Sequence, residues 1–469
     1  MKHLLALFAL VFSISHMALI TASTSFSSPS NSSIVRKISR ISIASDGTQA
    51  NDSSGSAALS SDGRYLAFVS NATNLVNGDT GGVADVFVHD RLTGETTRVS
   101  VASGGTQANS SSDYPSISAD GRYVAFESYA SNLVSGDTNE TFDVFVHDRQ
   151  EKRTIRVSVS SNGTQGNSFS RYPSISADGR YVTFMSLANN LFNGDTGPHE
   201  DIFLHDMETG QTSLVSIASD GSQADNPSQF PVLSANGRYI AFETYARNLG
   251  GGLVYGVPNS YVHDLLTGET TRASIASDGT PGNDQSPRPS ISADGRFVIF
   301  PSAAINLVPG DANNNCTLEP HTAPIYNCWD TFMHDMQTAE TILISVASDG
   351  TQGNYGSGGG AISSTGRYAI FTSVANNLVI SDTNGVSDVF LRDLLLGQTT
   401  RVSVASNGAE GNNHSGASAI SANGGTIVLA SSASNLVPGD TNESNDIFVV
   451  DWDPIASLTQ KGFLPFIMR

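Results

Sequence analysis

The fold is decided by a stretch that runs from Pro115 to Asp148 and reads PSISADGRYVAFESYASNLVSGDTNETFDVFVHD. Short runs of alternating Val, Ile and Phe are typical of strands, and the Asp and Gly residues between them favour turns. The predicted elements are a strand over 115–118, a tight turn over 119–122, a strand over 123–128, a long loop through 132–138, a strand over 143–148 and, after a further turn, a strand over 155–160. The stretch therefore predicts a unit of four antiparallel strands.

This unit is repeated seven times. The phrase Ser-x-Asp/Asn-Gly-Arg-Tyr marks each copy, with Thr before Gly in the sixth copy and Gly-Thr in place of Arg-Tyr in the seventh. Its glycines are Gly63, Gly121, Gly179, Gly237, Gly295, Gly366 and Gly424. The spacing is 58 residues, except for 71 before the sixth copy. Four strands per repeat without a helical period predict the blades of a β-propeller.

The two ends of the repeat region predict how the ring closes. Residues 38–45 resemble a fourth strand and precede the first full unit, whereas the last unit ends after its third strand, at residues 446–451. An N-terminal strand that completes the last blade would remove an exposed sheet edge. The sequence therefore predicts an all-β, seven-bladed propeller of four-stranded antiparallel blades over residues 38–453.

Charge and composition exclude some functions. The 469 residues include 24 Lys and Arg against 44 Asp and Glu, which gives a formal net charge of −20. Nucleic-acid binders need Lys and Arg to neutralise phosphates, so we expect no nucleic-acid partner. Apolar residues make up 39% of the chain, which is ample for a packed core.

The chain termini are read as segments outside the propeller. Residues 1–23 combine a short positive start, an apolar run and small residues, which predicts a cleaved signal peptide. The alternative is an uncleaved anchor, but the run is shorter than the about 20 apolar residues that spanning requires. Residues 24–37 are predicted to be a flexible leader. The tail, 454–469, is expected to pack against the propeller or fray, with a sorting or docking peptide as the alternative.

The repeated phrases carry a family resemblance. Ser-Ala-Asp-Gly-Arg-Tyr-Val-Ala-Phe followed by Asp-Val-Phe-Val-His-Asp resembles the TolB-type β-propeller repeat of bacterial envelope and secreted proteins. The resemblance covers nearly the whole mature chain and implies the fold and a periplasmic, envelope or secreted location. It implies no single function, because such repeats occur in binding proteins and beside catalytic domains. The chain has seven repeats where TolB has six blades and lacks room for the N-terminal domain of TolB, so the partners of TolB are not transferred.

The long loops share one rim of the predicted ring. The connection between strands two and three and the link to the next blade both lie there, whereas the other rim has only tight turns. Binding residues concentrate on loops, so this long-loop rim is the predicted interaction face. The fifth unit adds an insertion containing Cys316 and Cys328, which we expect to form a disulfide in an exported protein. Free thiols are the alternative, and a metal site is disfavoured because no matching Cys pair exists.

Acidic and amide side chains recur in the loops between strands two and three. Carboxylate and amide oxygens suit Ca²⁺, although the spacing is not that of an EF-hand. The alternative is that these residues bond their own backbone and order turns without a metal. The candidate ligands are Asp79, Asp85, Asp137, Asn139, Asp143, Asp195, Asp201, Asp382, Asn384, Asp388, Asp440, Asn442 and Asp446. Calcium is thus a possible cofactor, and none is certain.

Two further side chains recur once per blade. Histidines followed by Asp stand in five third strands, at His89, His147, His205, His263 and His334. They are a blade apart, so they are predicted to be structural rather than metal ligands. Arginines follow the turn glycines at Arg64, Arg122, Arg180, Arg238, Arg296 and Arg367. We expect them to pack or to pair with an acid of a neighbouring blade, with a basic ring for an anionic ligand as the alternative.

The sequence lacks the common catalytic motifs. It contains no Gly-x-Ser-x-Gly, His-Glu-x-x-His or Gly-x-x-x-x-Gly-Lys phrase, and no catalytic residue is assigned. We therefore expect a monomeric, non-catalytic propeller that binds an unknown protein or glycan through its long-loop rim, without a transmembrane span in the mature chain. The alternative is a glycan-active hydrolase or lyase with acids at the mouth of the central channel.

Overall fold

A computed structural model describes residues 37–80, 82–195, 197–250, 256–311 and 329–452, all of which fall within the unit Val35–Arg469. These residues form seven four-stranded antiparallel sheets and contain no helix. The predicted seven-bladed, all-β propeller is confirmed. The predicted signal peptide, almost all of the leader, the tail and the pair Cys316 and Cys328 lie outside the described residues. No helix in the described part of the chain has the length and apolar character needed to cross a bilayer.

Six blades use their strands in chain order from the inside outward, and in the seventh the outermost strand is β1. The first strands are β2 (Ser54–Leu59), β6 (Ser112–Ile117), β10 (Ser170–Ile175), β14 (Ser228–Leu233), β18 (Ser290–Ile291), β22 (Ser357–Ile362) and β26 (Ser415–Ile420). The second strands are β3 (Tyr65–Ser70), β7 (Tyr123–Ser128), β11 (Tyr181–Ser186), β15 (Tyr239–Thr244), β19 (Phe297–Ser302), β23 (Tyr368–Ser373) and β27 (Thr426–Ser431). The third strands are β4 (Asp85–Asp90), β8 (Asp143–Asp148), β12 (Asp201–Asp206), β16 (Asn259–Asp264), β20 (Asp330–Asp335), β24 (Asp388–Asp393) and β28 (Asp446–Asp451). The fourth strands are β5 (Glu95–Arg98), β9 (Arg153–Arg156), β13 (Thr212–Leu214), β17 (Thr270–Arg272), β21 (Glu340–Leu343), β25 (Gln398–Arg401) and β1 (Lys37–Arg40).

The first strands form the inner wall of the ring. Each contacts the first strands of the two neighbouring blades, and the series closes because β26 contacts β2. The residues that open these strands lie at the long-loop rim, and the residues that end them lead into the tight turns of the hairpin rim. A side chain early in a first strand therefore lies near the mouth of the channel on the long-loop rim.

The N-terminal strand closes the ring as predicted. Strand β1 pairs antiparallel with β28, with Ile38 opposite Val450 and Arg40 opposite Phe448. The last sheet thus has the order β1-β28-β27-β26, so residues from both ends of the described chain share one blade. Pairing leaves no open edge on β28, which stabilises the ring against unzipping at that blade.

The core lies between the blades. The second and third strands are buried on both faces because each blade is covered by a neighbour on either side. Within most blades a Phe from each of these strands stacks on the other, as for Phe126 and Phe145, whose ring centroids lie 6.0 Å apart. In the two middle strands of each sheet, successive residues are therefore buried on both faces instead of alternating between buried and exposed.

Two features of the structure require glycine at the turn of each repeat. Gly121 has a φ of +74°, which L side chains rarely adopt. A Cβ at this residue would also lie 2.2 Å from a ring carbon of Tyr65 in the preceding blade. The phrase that marks each repeat is therefore both a turn signal and a contact between blades.

Two strand boundaries differ from the sequence prediction. In the second unit the first strand begins at Ser112 rather than 115, because a bulge between Asp113 and Ser116 extends the pairing. The fourth strand spans Arg153–Arg156 rather than 155–160. Beyond it the chain leaves the sheet and forms an isolated bridge between Val159 and Gln165, so the later residues order the link instead.

Candidate functional site

The loop acids of the predicted calcium sites meet in pairs on the long-loop rim. In the second blade Asp137, from the loop, and Asp143, which opens β8, share the side-chain amide of Gln165. Gln165 Nε2 donates to Asp137 Oδ1 at 2.9 Å and to Asp143 Oδ2 at 2.8 Å. Ser158 Oγ donates to Asp143 Oδ1 at 2.6 Å. We call these two carboxylates the acid pair of the blade.

A guanidinium from the fourth strand neutralises the acid pair in four blades. Arg156 Nη1 lies 3.4 Å from an oxygen of each carboxylate in the second blade. The equivalent arginines are Arg98 in the first blade, Arg401 in the sixth and Arg40 in the seventh. Because Arg40 comes from β1, the acid pair of the last blade also fastens the ring closure.

The other three blades depart from this pattern. Leu214 and Leu343 stand where the third and fifth blades would carry the arginine. In the third blade Gln223 Nε2 still donates to Asp195 at 2.8 Å and to Asp201 at 2.7 Å. The fourth blade keeps the cation, Arg272, which donates to Asn259 at 2.5 Å in place of an acid.

Burial raises the pKa of several strand acids, and the largest increases are at the two acids in blades where Leu replaces Arg. The pKa of Asp143 is raised by burial, against which Ser158 and Arg156 act. Burial raises the pKa of Asp201 to about 6 and that of Asp330 to about 7. These two carboxyls therefore titrate near neutral pH.

The amides among the predicted calcium ligands form turns. Asn139, Asn384 and Asn442 each accept the backbone N–H two residues on, at 3.1–3.3 Å. The acids instead bridge strand, loop and link. Within the described ranges no group of three His, Cys, Asp or Glu residues is arranged to hold a metal ion. Calcium binding at these residues stays a prediction.

The recurrent histidines are buried, and each bonds a Thr that in turn bonds the link from the preceding blade. Their Nδ1 atoms lie 2.7–2.9 Å from a Thr hydroxyl of the fourth strand, as for His147 and Thr154. The Thr154 hydroxyl donates to Val101 O in the preceding link, so His147 Nδ1 carries the proton. Burial lowers the pKa of His147 to about 4. This arrangement agrees with the predicted structural role.

The recurrent arginines pair within their own blade, which corrects the expected partner. Arg180 donates to both carboxylate oxygens of Asp206 at 3.0 and 2.8 Å, and its guanidinium carbon lies 4.8 Å from the ring centroid of Tyr181. The Asp follows the His at the end of the third strand, which is adjacent in the same sheet. The pairing of the second and third strands therefore places the Arg beside the Asp of its own blade, and no residue of a neighbouring blade is needed.

A surface that the sequence reading missed lies at the channel mouth. Tyr114, Tyr172 and Phe230 occupy equivalent positions early in three successive first strands, and we call them the aromatic arc. The ring centroids of Tyr114 and Tyr172 are 4.6 Å apart, and those of Tyr172 and Phe230 are 4.5 Å apart. The guanidinium of Arg288, at the same position in the fifth blade, lies 4.4 Å from the centroid of Phe230. The arc therefore continues across four blades.

The opposite side of the mouth is lined by small residues. Ser56 and Gly359 hold the equivalent positions in the first and sixth blades, and Ala417 adjoins the bulge of the seventh. The asymmetry gives the channel mouth one aromatic side, although the backbone repeats around the ring.

The arc residues hold a backbone conformation that large side chains seldom adopt. The φ angles of Tyr114, Tyr172 and Phe230 are 49°, 53° and 49°, at the bulge of each first strand. Such a conformation costs on the order of 1–3 kcal/mol and is held by its surroundings. The buried carboxylate of Glu127 accepts the N–H of Tyr172 at 2.9 Å, and Glu243 accepts that of Arg288 at 2.8 Å.

A cavity of about 300 Å³ opens beside the arc. Its lining includes the rings of Phe142, Tyr172 and Phe230 and the polar side chains of Glu200 and Gln229. Arg171 also lines it, with its guanidinium carbon 4.5 Å from the centroid of Phe142 and 5.0 Å from that of Tyr172. The mouth therefore offers ring faces and hydrogen-bonding groups within one small recess.

The sequence did contain a signal for the arc. An aromatic residue precedes Pro in three successive units, at Tyr114, Tyr172 and Phe230, with the 58-residue spacing of the repeat. The predicted first strand begins at the Pro, so the prediction leaves these residues out of the inner wall. A bulge places them on the inner wall, and the sequence of a single repeat contains no pattern that predicts this bulge.

The comparisons support the fold. No protein-family model and no curated protein matches the sequence. The chain is similar to an oligogalacturonate lyase in complex with manganese, at 10% identity over 90% of this chain and 94% of that one, with a TM-score of 0.52. It is also similar to the β-propeller domain of the trilobed protease from Pyrococcus furiosus, at 12% identity over 86% and 96%, with a TM-score of 0.49.

TolB is also among the similar structures. TolB from Acinetobacter baumannii is 14% identical over 68% of this chain, which spans 59% of the TolB chain, with a TM-score of 0.38. Proteins with different activities share this fold, so function has to be argued from the site.

Proposed function

We propose that this chain is an exported, non-catalytic β-propeller that binds a glycan or protein ligand at the channel mouth on its long-loop rim. The observation that carries the proposal is the aromatic arc, which places three rings in contact beside an open cavity. Aromatic side chains supply large contact area at low cost in conformational entropy. Export is supported by the predicted signal peptide.

The rim around the arc is held rigid, which favours binding. Each acid pair ties a loop to the start of a third strand, and in the second blade Gln165 fastens the link to both acids. The same link is bonded to the following loop, since Asn190 donates to Gln165 O at 2.8 Å. A rim that is ordered before binding loses less entropy when a ligand arrives.

Serine substitution in the arc tests the proposal. Ser56 adopts the same left-handed backbone in the first blade, with a φ of 40°, so Tyr172→Ser and Phe230→Ser remove rings that this backbone does not require. The mature full-length protein would be screened on a glycan array and against envelope proteins. We expect the double variant to lose the ligands that the wild type retains.

The matched control is Tyr355→Ser, because Tyr355 is 49% exposed in the link before β22, away from the arc. This variant should bind as the wild type does. Equal binding by the wild type and the arc double variant would contradict the proposal.

A glycan-active enzyme is the second candidate, and one observation favours it. Glu243 is buried in the second strand β15, where it accepts the N–H of Arg288, and burial raises its pKa. Its equivalent, Glu127, is ion-paired with Arg171, but Pro287 stands at that position beside Glu243. A carboxyl with a raised pKa can act as a general acid. Turnover of an oligosaccharide that Glu243→Gln abolishes would favour the enzyme, whereas binding without turnover favours the binding protein.

A further inference from the structure

We infer that the aromatic arc and the cavity beside it form a subsite for an uncharged pyranose ring of a glycan. The inference rests on the proposed function, because it specifies the ligand of the same channel mouth. It is drawn from the residues that line the cavity, the ion pair that neutralises its cation and the size of the recess.

The two kinds of residue that line the cavity, aromatic and polar, match the two kinds of surface on a pyranose. A pyranose ring presents weakly positive C–H groups on its faces and hydroxyl groups around its edge. The faces of Tyr172 and Phe230 carry the negative part of the aromatic quadrupole and suit the C–H face. Gln229 both donates and accepts hydrogen bonds, and Glu200 accepts them, as the hydroxyl edge requires.

The cation that lines the cavity is already paired. Arg171 donates to Glu127 Oε1 at 2.9 and 2.6 Å, so this guanidinium is already neutralised and is not free to bind an anionic ligand. The other charged residue of the lining is the carboxylate of Glu200, which would repel an anion. The chain as a whole carries −20, which repels polyanions at long range. An uncharged sugar avoids both the cost of an unpaired charge and this repulsion.

The size of the recess favours a small ligand group. A volume of about 300 Å³ lies at the lower end of the range for small-molecule sites, which is about 300–1,000 Å³. A stable protein interface buries about 800 Å² on each partner, which a recess of this size does not provide alone. The recess therefore fits one ring of a glycan better than a folded partner.

The test uses the mature full-length protein and four probes. Saturation-transfer NMR and calorimetry would be run with a neutral β-linked glucose oligosaccharide, a neutral α-linked one, an oligogalacturonate and an apolar aromatic peptide. We expect at least one neutral oligosaccharide to bind, with a Kd near 1 mM for a single-ring subsite. We expect Tyr172→Ser and Phe230→Ser each to weaken binding at least tenfold.

Two further variants separate stacking from loss of structure. Phe230→Tyr keeps the ring and should bind within about threefold of the wild type, as should the control Tyr355→Ser. Gln229→Ala keeps the arc and removes hydrogen bonds from the edge, so it should weaken binding while the protein's melting temperature is unchanged.

The outcomes distinguish this inference from the proposed function. Binding of the oligogalacturonate or the peptide alone, when sensitive to Tyr172→Ser, would overturn the uncharged-sugar inference and leave the proposed function standing. Neutral-sugar binding that is insensitive to both serine substitutions would overturn the placement of the subsite. Binding of none of the probes by a protein that still loses envelope ligands in the arc double variant would also overturn the inference alone.

Discussion

The second and third blades have the same backbone but neutralise their acid pairs differently. In the second blade Arg156 lies 3.4 Å from both Asp137 and Asp143. In the third blade Leu214 takes the place of that arginine, and the carboxylates of Asp195 and Asp201 are bridged by the amide of Gln223. The pKa of Asp201 consequently rises to about 6 through burial. A propeller blade therefore folds with or without the cation, but its titration behaviour depends on that one side chain.

In these two blades, different side chains determine the position of the acids and their ionisation. The amide and the serine hydroxyl fix the two acids in both blades, since Ser158 and Ser216 donate at 2.6 Å to Asp143 and Asp201 respectively. Hydrogen bonds thus set the shape of the rim. The arginine sets the charge, which decides whether the carboxylate stays ionised in a buried environment.

Converting the second blade into the third should give the largest effect. Arg156→Leu leaves Asp137 and Asp143 buried without their cation, and removing one partner of a buried ion pair costs about 3 kcal/mol. We expect that loss in the free energy of unfolding at pH 8, measured with denaturant. The loss should be smaller at pH 5 than at pH 8, because burial already raises the pKa of Asp143 and removing its cation raises it further. A loss of the same size at both pH values would show that lost packing, not charge, is responsible.

Removing the titrating acid of the third blade should change the pH dependence of stability. A raised carboxyl pKa contributes stability that is fully present below the ordinary value of 3.8 and is lost as pH rises through about 6. A difference of this size corresponds to about 3 kcal/mol. Asp201→Asn should therefore flatten the decline in stability between pH 4 and pH 8, and Asp330→Asn should do so in the fifth blade.

The control for this experiment is Asp206→Asn on the hairpin rim. The hydrogen bond from Arg180 lowers the pKa of Asp206 to about 2, so its contribution is lost only as pH falls through that value. The variant should leave the slope between pH 4 and pH 8 almost unchanged. A flattened slope in this variant and not in Asp201→Asn would contradict the assignment.

Restoring the cation to the third blade should have a smaller effect of opposite sign. Leu214→Arg places a guanidinium beside Asp195 and Asp201, as Arg156 is placed in the second blade. We expect the pKa of Asp201 to fall below 6, as measured by carbon NMR of the carboxyl, and stability at pH 8 to rise by about 1 kcal/mol. An unchanged pKa in a folded variant would show that the arginine does not reach the acids.

Calcium should have the smallest effect. If it stabilises the rim, we expect it to do so where Leu replaces Arg, because elsewhere a guanidinium already lies on the acid pair. A gain of about 1 kcal/mol is expected when calcium is present at about five times its Kd. The melting temperature should then be higher in calcium than in chelator, and Asp195→Asn should reduce the difference, because it alters the third blade and leaves the fifth, while Asp137→Asn should leave it unchanged. Equal melting temperatures in calcium and chelator would rule out calcium stabilisation.

The sequence by itself determined the architecture, because the same strand and turn pattern occurs in every repeat and each copy supports the same prediction. Seven copies of one phrase predict seven blades, and a fourth strand that precedes the first copy predicts the closure in which Ile38 lies opposite Val450. Strands two and three were predicted to the residue in the second unit, at Tyr123–Ser128 and Asp143–Asp148. These strands are apolar along most of their length and are buried in the structure, so the local sequence pattern alone is enough to predict them.

Only the tertiary structure decided where the charges and the rings meet. The amide of Gln165 is 28 residues from Asp137, and Tyr172 is 58 residues from Tyr114, so no local pattern links them. The acids are possible metal ligands in the sequence, and only the fold shows that in the second blade a guanidinium and an amide lie on them. The aromatic arc exists because a bulge in three successive inner strands places a ring at the channel mouth in each. Long-range packing, which single-sequence patterns do not record, assembled both.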